Sequence, residues 1–261
     1  MRPGNHPPLP TAYPAILLFF TLVATAPLPA AADAAAEAGW EPLVDEESIT
    51  TWTQEGQSPA SYQLNGSTLV GQPLGHDPKN AFLCSPRTYE NFDLRWSFRI
   101  RPQTMNSGVQ FRSKSVDGKI TGPQVEMMVE DRSERPLLHR WGRALYNFWS
   151  SRNDCPGWCA AGVYGENLDG GWIYPGPAGG DPRAFFVQGQ RLTKRDGWNE
   201  VRLEATGPHI RTWLNGEPRA DFISEEALVQ PGRICLQVHG GQYEDPSQHS
   251  VEWRGLEIRE R

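Results

Sequence analysis

The chain has 261 residues with a formal net charge of −6, and it contains 26 Gly, 23 Pro and 10 Trp but only 4 Cys. A hydrophobic content of 38 % with 21 % charged residues allows a buried core and excludes a disordered polyampholyte. The acidic balance, without a cluster of lysine and arginine, disfavours nucleic-acid binding.

The N-terminus has the pattern of a secretory signal peptide. Residues 15–26 are an apolar run too short to span a bilayer, and Ala30, Ala31 and Ala32 follow in the A-x-A form of a cleavage site. Arg2 is the only basic residue before the run, which keeps an uncleaved anchor as the alternative. We expect removal of residues 1–32 and export of residues 33–261 to the periplasm or the extracellular space, without a stable membrane anchor.

Strand signals fill most of the remaining chain. Asn65-Gly66, flanked by the strand-like residues 62–64 and 67–70, is typical of a hairpin. Apolar and polar residues alternate over residues 94–101, the period of a half-buried strand, and a change of parity at Arg254-Gly255 predicts a β-bulge. Short strands, many turns and no crossover helices predict one all-β domain built as a sandwich of two antiparallel sheets.

Residues 131–159 interrupt this pattern. The segment is rich in aromatic residues and could form a short helix, so we interpret it as an insertion on one rim of the sandwich. Cys155 and Cys159, with Pro-Gly between them, are the candidate disulfide, whereas Cys84 and Cys235 lie in strand-like segments and are expected to be buried free thiols. The C-x3-C spacing supports neither a redox motif nor a zinc site.

Two strands carry unusual polar faces. Gln110 and Arg112 point away from the apolar residues of one strand, and Gln124 and Glu126 do the same in another. If the strands are neighbours, amide, carboxylate and guanidinium groups cluster there. The alternative is a solvated sheet face on which Glu126 and Arg112 form an ordinary cross-strand pair.

Further candidates follow along the chain. Tyr164 and Trp172 flank a glycine-rich stretch that contains Glu166, and their rings could form stacking walls for a sugar. His239 shares a strand face with Gln237, although a lone histidine is more often a structural hydrogen-bonding group. The sequence has no serine-hydrolase elbow, phosphate-binding loop, H-E-x-x-H motif or dinucleotide fingerprint, so those classes have no support.

The ordered motifs resemble those of the 3-keto-disaccharide hydrolase family. The resemblance rests on NSGVQFR at residues 106–112, GPQVE at 122–126 and GVYGE at 162–166, with flanking matches over roughly residues 39–260. It implies a concanavalin A-like (laminarinase-like) jelly-roll fold and hydrolysis of 3-keto-glycosides. Many members have Gly-Tyr-Glu-x-Gln where this chain has GPQVE, so amide and carboxylate are exchanged.

The substrate that the resemblance implies is a glycoside oxidised at C3 of one sugar. A ketone there acidifies the C2 proton, so a base can remove it, the leaving group departs by β-elimination, and water adds afterwards. We assign Glu126 as the base or as the acid for the leaving group, with Glu166 second and His239 third. The substrate-binding candidates are Asn106, Gln110, Arg112, Gln124, Tyr164 and Trp172; among them, Arg112 would bind an oxygen or position Glu126. No cofactor is required, although scattered oxygens could hold a structural Ca²⁺.

Two other functions stay open. One is a non-catalytic, lectin-like carbohydrate-binding module, which the same fold would support. The other is ordinary glycoside hydrolysis by the Glu126 and Glu166 carboxylates, although the Glu-x-Asp-x-x-Glu strand signature expected of laminarinase-like hydrolases is absent.

Overall fold

The computed structural model describes residue 1 and residues 38–130, 157–168, 171–241 and 243–261. The secondary structure of these residues lies in one compact unit, Gly39–Arg261, and Met1–Ala38 form the other unit. The expected signal peptide beyond residue 1, most of the rim insertion, and Cys155 lie outside the described residues. None of the helices in the described part of the chain is long and apolar enough to cross a membrane.

The described residues form fifteen strands, one α-helix and three short 3-10 helices, the last at Ser48–Thr51, Glu226–Leu228 and Pro246–Gln248. The other elements in chain order are β1 (Glu41–Pro42), β2 (Thr53–Gly56), β3 (Ala60–Asn65), β4 (Thr68–Pro73), β5 (Ala81–Tyr89), β6 (Phe92–Arg101), β7 (Gly108–Val116), β8 (Lys119–Glu126), β9 (Val163–Glu166), β10 (Trp172–Tyr174), α1 (Pro182–Leu192), β11 (Asn199–Thr206), β12 (His209–Leu214), β13 (Glu217–Ile223), β14 (Gly232–Val238) and β15 (Ser250–Glu260).

The strands form two antiparallel sheets, which confirms the predicted all-β sandwich. One sheet has the order β13-β12-β11-β6-β15-β4-β3, with β1 paired to β15, and the other has the order β10-β9-β8-β7-β14-β5-β2. Chain-distant strands are neighbours in both sheets, as β6 and β15 or β7 and β14 show. This connectivity places β7, which carries the first sequence motif, between β8, which carries the second, and the chain-distant strand β14.

The apolar faces of the two sheets build the core. In β6 every second residue is buried, namely Phe92, Leu94, Trp96, Phe98 and Ile100, as the alternation predicts. Residues from β7, β8, β9 and β14 join the same cluster, including Val109, Val125, Val163 and Leu236. Gln110, Gln124 and Gln237, which alternate with these apolar residues, therefore lie on the other face of the seven-stranded sheet.

The predicted bulge in β15 is present. The pairing of β15 with β6 shifts register between Arg254 and Glu257, and Gly255 has φ 56°. Glycine adopts this backbone conformation without the steric cost of a Cβ, so the strand can turn its next apolar residue, Leu256, back into the core.

The sequence analysis did not predict helix α1. The Asp181 side chain caps it by accepting a hydrogen bond from the Ala184 backbone N–H at 2.6 Å, and Pro182 stands in the first turn. This Asp-Pro start was the available signal, but the abundance of strand and turn patterns around it led to an all-strand interpretation.

The prediction that Cys84 and Cys235 are free thiols is wrong, because these two residues form a disulfide. They are directly opposite each other in β5 and β14, with their Cα atoms 4.1 Å apart. The two cysteines are 151 residues apart in the chain, so only the strand pairing brings them together. Cys159 is also disulfide-bonded, and its predicted partner Cys155 lies outside the described residues.

Candidate functional site

The neighbouring strands β7 and β8 bring the polar side chains together. Their register pairs Gln110 with Gln124 and Gly108 with Glu126. Directly paired residues point to the same side of a sheet, so Gln110, Gln124 and Glu126 share the face opposite the core. The three polar residues are only 0 %, 1 % and 3 % exposed. This degree of burial excludes the solvated sheet face that the sequence left open.

Two amides hold the Glu126 carboxylate. Asn106 Nδ2 donates to its Oε2 at 3.1 Å, and Gln124 Nε2 donates to its Oε1 at 2.8 Å. Because both NH₂ groups face the carboxylate, both amide oxygens face elsewhere. Asn106 Oδ1 and Gln124 Oε1 are buried without a hydrogen-bond partner among the described residues. Since a buried acceptor without a partner is costly, these two oxygens are suited to receive O–H donors of a ligand.

Gly108 allows Gln124 to lie across the sheet. A Cβ at residue 108 would come within 2.4 Å of Gln124 Cδ and 2.5 Å of its Nε2. The Gln124 side chain therefore passes over β7 at this glycine, and its Nε2 reaches Gln237 Oε1 on β14 at 3.3 Å. The glycine of the first motif thus makes room for a polar side chain of the second motif.

An apolar wall adjoins the polar group. Tyr164 pairs with Gln124 in the sheet register and Trp172 pairs with Tyr164, so both aromatic residues share the face of the carboxylate. Their ring centroids are 5.6 Å apart in an edge-to-face arrangement. Trp172 is only 6 % exposed and packs in a cluster with Met128. It also borders a cavity of 370 Å³.

Arg112 does not form the pair with Glu126 that the sequence suggested. Its φ is 51°, and the pairing of β7 with β8 shifts between Gln110 and Lys114, so Arg112 is the extra residue of a β-bulge. Its guanidinium donates to the backbone oxygen of Glu90 at 2.9 and 2.6 Å and to that of Gly207 at 2.8 Å. The bulge breaks the strict alternation that had placed Arg112 beside Gln110.

Glu166 lies apart from Glu126. It pairs with Gly122, four residues before Glu126 on β8, which separates the two backbone positions by roughly 13 Å. Glu166 Oε1 accepts a hydrogen bond from Asn80 Nδ2 at 2.9 Å. Burial raises the pKa of Glu166, and the Asn80 hydrogen bond only partly offsets this. Glu166 therefore binds Asn80, whereas Glu126 is held by Asn106 and Gln124.

His239 follows β14 on the side of the strand that Gln237 occupies. Its Nδ1 is 2.5 Å from the Gly240 carbonyl oxygen, and its own carbonyl accepts from Tyr243 Oη at 3.0 Å. The Gly240 N–H donates to Asn80 Oδ1 at 3.0 Å. Asn80 therefore links this turn to Glu166 on β9. The sequence analysis missed Asn80, because it precedes a strand and has no place in an alternating pattern.

A buried arginine fixes the backbone that enters β9. Arg219 is 4 % exposed, and its guanidinium donates to the carbonyl oxygens of Trp158 and Ala160, both at 3.1 Å, and of Phe185 at 2.8 Å. Burial lowers the pKa of Arg219 to about 9. The same backbone segment donates from Ala161 N–H to the carbonyl oxygen at residue 126, at 2.8 Å, which steadies the end of β8.

The described residues contain no group of three or more His, Cys, Asp or Glu side chains able to hold a metal ion. A calcium site built from scattered oxygens stays a prediction.

Comparisons with known proteins agree with this architecture. The sequence model of the 3-keto-alpha-glucoside-1,2-lyase-like domain matches residues 39–259. A candidate glycosyl hydrolase from Parabacteroides distasonis ATCC 8503 is 18 % identical with a TM-score of 0.54, and the alignment covers 88 % of this chain and 96 % of that chain. A protein of unknown function with a galectin-like fold from Bacillus subtilis is 11 % identical with a TM-score of 0.50, covering 85 % and 94 %. These structural similarities show the fold alone. No curated protein matches the sequence.

Proposed function

The chain belongs to the 3-keto-alpha-glucoside-1,2-lyase-like family, and from this membership and the site geometry we propose that it cleaves the glycosidic bond of sugars oxidised to a ketone at C3. The observation that carries the proposal is the buried Glu126 carboxylate, held by two amides whose own oxygens have no partner among the described residues. The carboxylate can act as a base, and the free acceptors beside it can bind hydroxyl groups of the sugar ring.

In the proposed reaction, Glu126 takes the proton from C2. The C–H electron pair forms a double bond between C2 and C3, and the ketone oxygen takes the negative charge. When the carbonyl re-forms, the electrons move between C1 and C2, the C1–O bond breaks, and the leaving oxygen takes the proton from Glu126. Addition of water, with hydroxyl to C1 and hydrogen to C2, completes the hydrolysis.

The neighbouring groups orient the sugar for this step. Asn106 Oδ1 and Gln124 Oε1 would accept hydrogen bonds from ring hydroxyls, since both are buried acceptors beside the base. Tyr164 and Trp172 line the apolar side of the site against the C–H surfaces of the sugar. Only one carboxylate is required by this mechanism, and Glu126 and Glu166 have separate hydrogen-bond partners.

A direct assay tests the proposal. The protein is incubated with 3-keto-disaccharides of several linkages, and mass spectrometry follows the release of 3-keto-glucose or of the unsaturated product lighter by one water. We expect cleavage of the 3-keto compounds and none of the unmodified disaccharides, whose C2 proton is not acidic. Cleavage of unmodified disaccharides would instead support ordinary glycoside hydrolysis, and binding of both without turnover would support a lectin.

Gly108→Ala tests the packing of the site without removing a functional group. The added methyl displaces Gln124, which then loses its contacts with Glu126 and Gln237. We expect kcat/KM for a 3-keto-disaccharide to fall about 10- to 100-fold, since small misplacements of reacting groups have effects of this size. The measurement is steady-state kinetics, with circular dichroism to confirm that the variant is folded.

The matched control for that variant is Gly75→Ala. A Cβ at residue 75 would meet nothing within 4 Å, so this substitution adds the same methyl without displacing a neighbour. Its kinetics should equal those of the wild type. Equal activity of the Gly108 variant and this control would show that the position of Gln124 does not matter for turnover.

We also propose that the protein acts outside the cytoplasm. The signal-peptide pattern of residues 1–32 supports this, and so does the Cys84–Cys235 disulfide, because such bonds persist in oxidising compartments. We expect a mature chain that starts near Asp33 in the secreted or periplasmic fraction of expressing cells. N-terminal sequencing checks it, and an intact N-terminus retained in the cytoplasm would contradict it.

A further inference from the structure

The β-bulge at Arg112 moves Ser113 onto the face that holds Gln110. In a regular strand, residues three apart point to opposite faces. The extra residue of the bulge turns Ser113 to the same face as Gln110. Ser113 lies over Gly122 of β8, since a Cβ added at residue 122 would come within 2.6 Å of Ser113 Oγ. The Arg112 guanidinium holds the bulge through the carbonyl oxygens of Glu90 and Gly207. Bulges near functional sites commonly re-aim a side chain in this way.

Ser113 sets the orientation of the Gln110 amide. Its Oγ donates to Gln110 Oε1 at 2.6 Å, and the two residues are 2 % and 0 % exposed. The amide oxygen is therefore occupied, and the NH₂ group is directed elsewhere. Gln110 Nε2 is buried and has no hydrogen-bond partner among the described residues. Gln110 lies directly opposite Gln124 in the sheet, so this free donor is on the same face as the free acceptors of the Glu126 group.

We propose that Ser113 is a positioning residue that fixes Gln110 as the hydrogen-bond donor to the C3 oxygen of the substrate. The inference rests on the proposed function. A ketone oxygen only accepts hydrogen bonds, and it becomes negatively charged when C2 loses its proton. Asn106 and Gln124 present acceptors to the site, so Gln110 supplies a donor that complements them. A pre-oriented donor at a developing oxyanion stabilises the transition state more than the bound substrate.

Kinetics of four variants test whether Ser113 acts on turnover through Gln110. Removing one oxyanion donor lowers kcat by about 100- to 1,000-fold, so we expect that loss for Gln110→Ala and for the isosteric, acceptor-only Gln110→Glu. Ser113→Ala should lower kcat about 10- to 100-fold and change KM by less than about threefold, because it disturbs the donor indirectly. Ser113→Thr keeps the hydroxyl and should restore kcat to within about threefold of the wild type.

A double variant separates positioning from general damage. If Ser113 acts only through Gln110, then Gln110→Ala/Ser113→Ala is no slower than Gln110→Ala alone. Ser97→Ala, in β6 of the other sheet, is the matched control and should behave as the wild type. Wild-type kinetics of Ser113→Ala, or additive losses in the double variant, would overturn the inference.

An NMR measurement tests the positioning without any turnover. In ¹⁵N-labelled protein, the Gln110 side-chain NH₂ signals are assigned by their loss in Gln110→Ala. We expect Ser113→Ala to shift or broaden these signals, because the amide loses the partner that fixes it, and Ser113→Thr to leave them near their wild-type positions. Unchanged signals in Ser113→Ala would refute the positioning role. A wild type that binds but never cleaves 3-keto-disaccharides would refute the proposed function alone.

Discussion

Substitution of Glu126 by glutamine is expected to lower kcat for a 3-keto-disaccharide by roughly 10²- to 10⁴-fold, the usual contribution of a general base. The glutamine keeps the size of the side chain but cannot take the C2 proton. It also replaces one acceptor oxygen by an NH₂ group, which then faces the donor of either Asn106 or Gln124. One of these two amides must turn, so the KM should rise as well.

Two further variants define what this result means. Glu252→Gln removes a carboxylate that pairs with Arg99 on the eight-stranded sheet, away from the site, and should retain wild-type turnover. Glu166→Gln removes the carboxylate that binds Asn80. A larger loss in Glu166→Gln than in Glu126→Gln would show that Glu166, and not Glu126, is the base. Full activity of Glu126→Gln would exclude the proposed mechanism.

Loss of the Cys84–Cys235 disulfide is expected to lower the free energy of unfolding by about 2 to 5 kcal/mol. The bond joins positions 151 residues apart, so it removes much of the freedom of the unfolded chain. It also packs with Phe82 and Ile120 in a buried cluster, and alanine substitution would leave a cavity there. Urea unfolding of the Cys84→Ala/Cys235→Ala variant, with the wild type beside it, measures the difference.

The cysteines at the end of the rim insertion supply the comparison for that experiment. A bond between Cys155 and Cys159 would close a loop of only a few residues, so the Cys155→Ala/Cys159→Ala variant should lose less stability. Dithiothreitol acts on every disulfide at once, and therefore only the paired variants separate the two contributions. Unfolding free energies of the Cys84/Cys235 variant equal to the wild-type value would show that the long-range bond does not stabilise the fold.

Local patterns were enough to predict strands such as β6 and the face of the sheet on which each of their residues lies. The side-chain period of a strand is two residues, so the alternation in β6 reveals which residues meet the core without knowledge of the partner strand. The bulge in β15 could also be predicted from local sequence, because the apolar alternation changes parity beside a glycine. For the same reason the sequence placed Gln124 and Glu126 on one face of β8.

Other features depend on partners that are distant in the chain. Strand pairing brought Cys84 to Cys235, and no local pattern distinguishes a thiol that has such a partner from one that does not. No glycine marks the bulge at Arg112 in the sequence. The positive φ of this residue is stabilised by hydrogen bonds from its guanidinium to carbonyl oxygens of other segments. Strict alternation therefore predicted the wrong neighbour for this arginine.

The sequence by itself determined the all-β class, the core faces and, through its motifs, the polar residues from which the candidate site is built. The tertiary structure decided how those residues combine: Gln124 crosses over Gly108 to Gln237, Ser113 orients Gln110, and Glu166 lies apart from Glu126. The physical reason is that periodicity is a property of one strand, whereas register, bulges and side-chain packing arise only between strands.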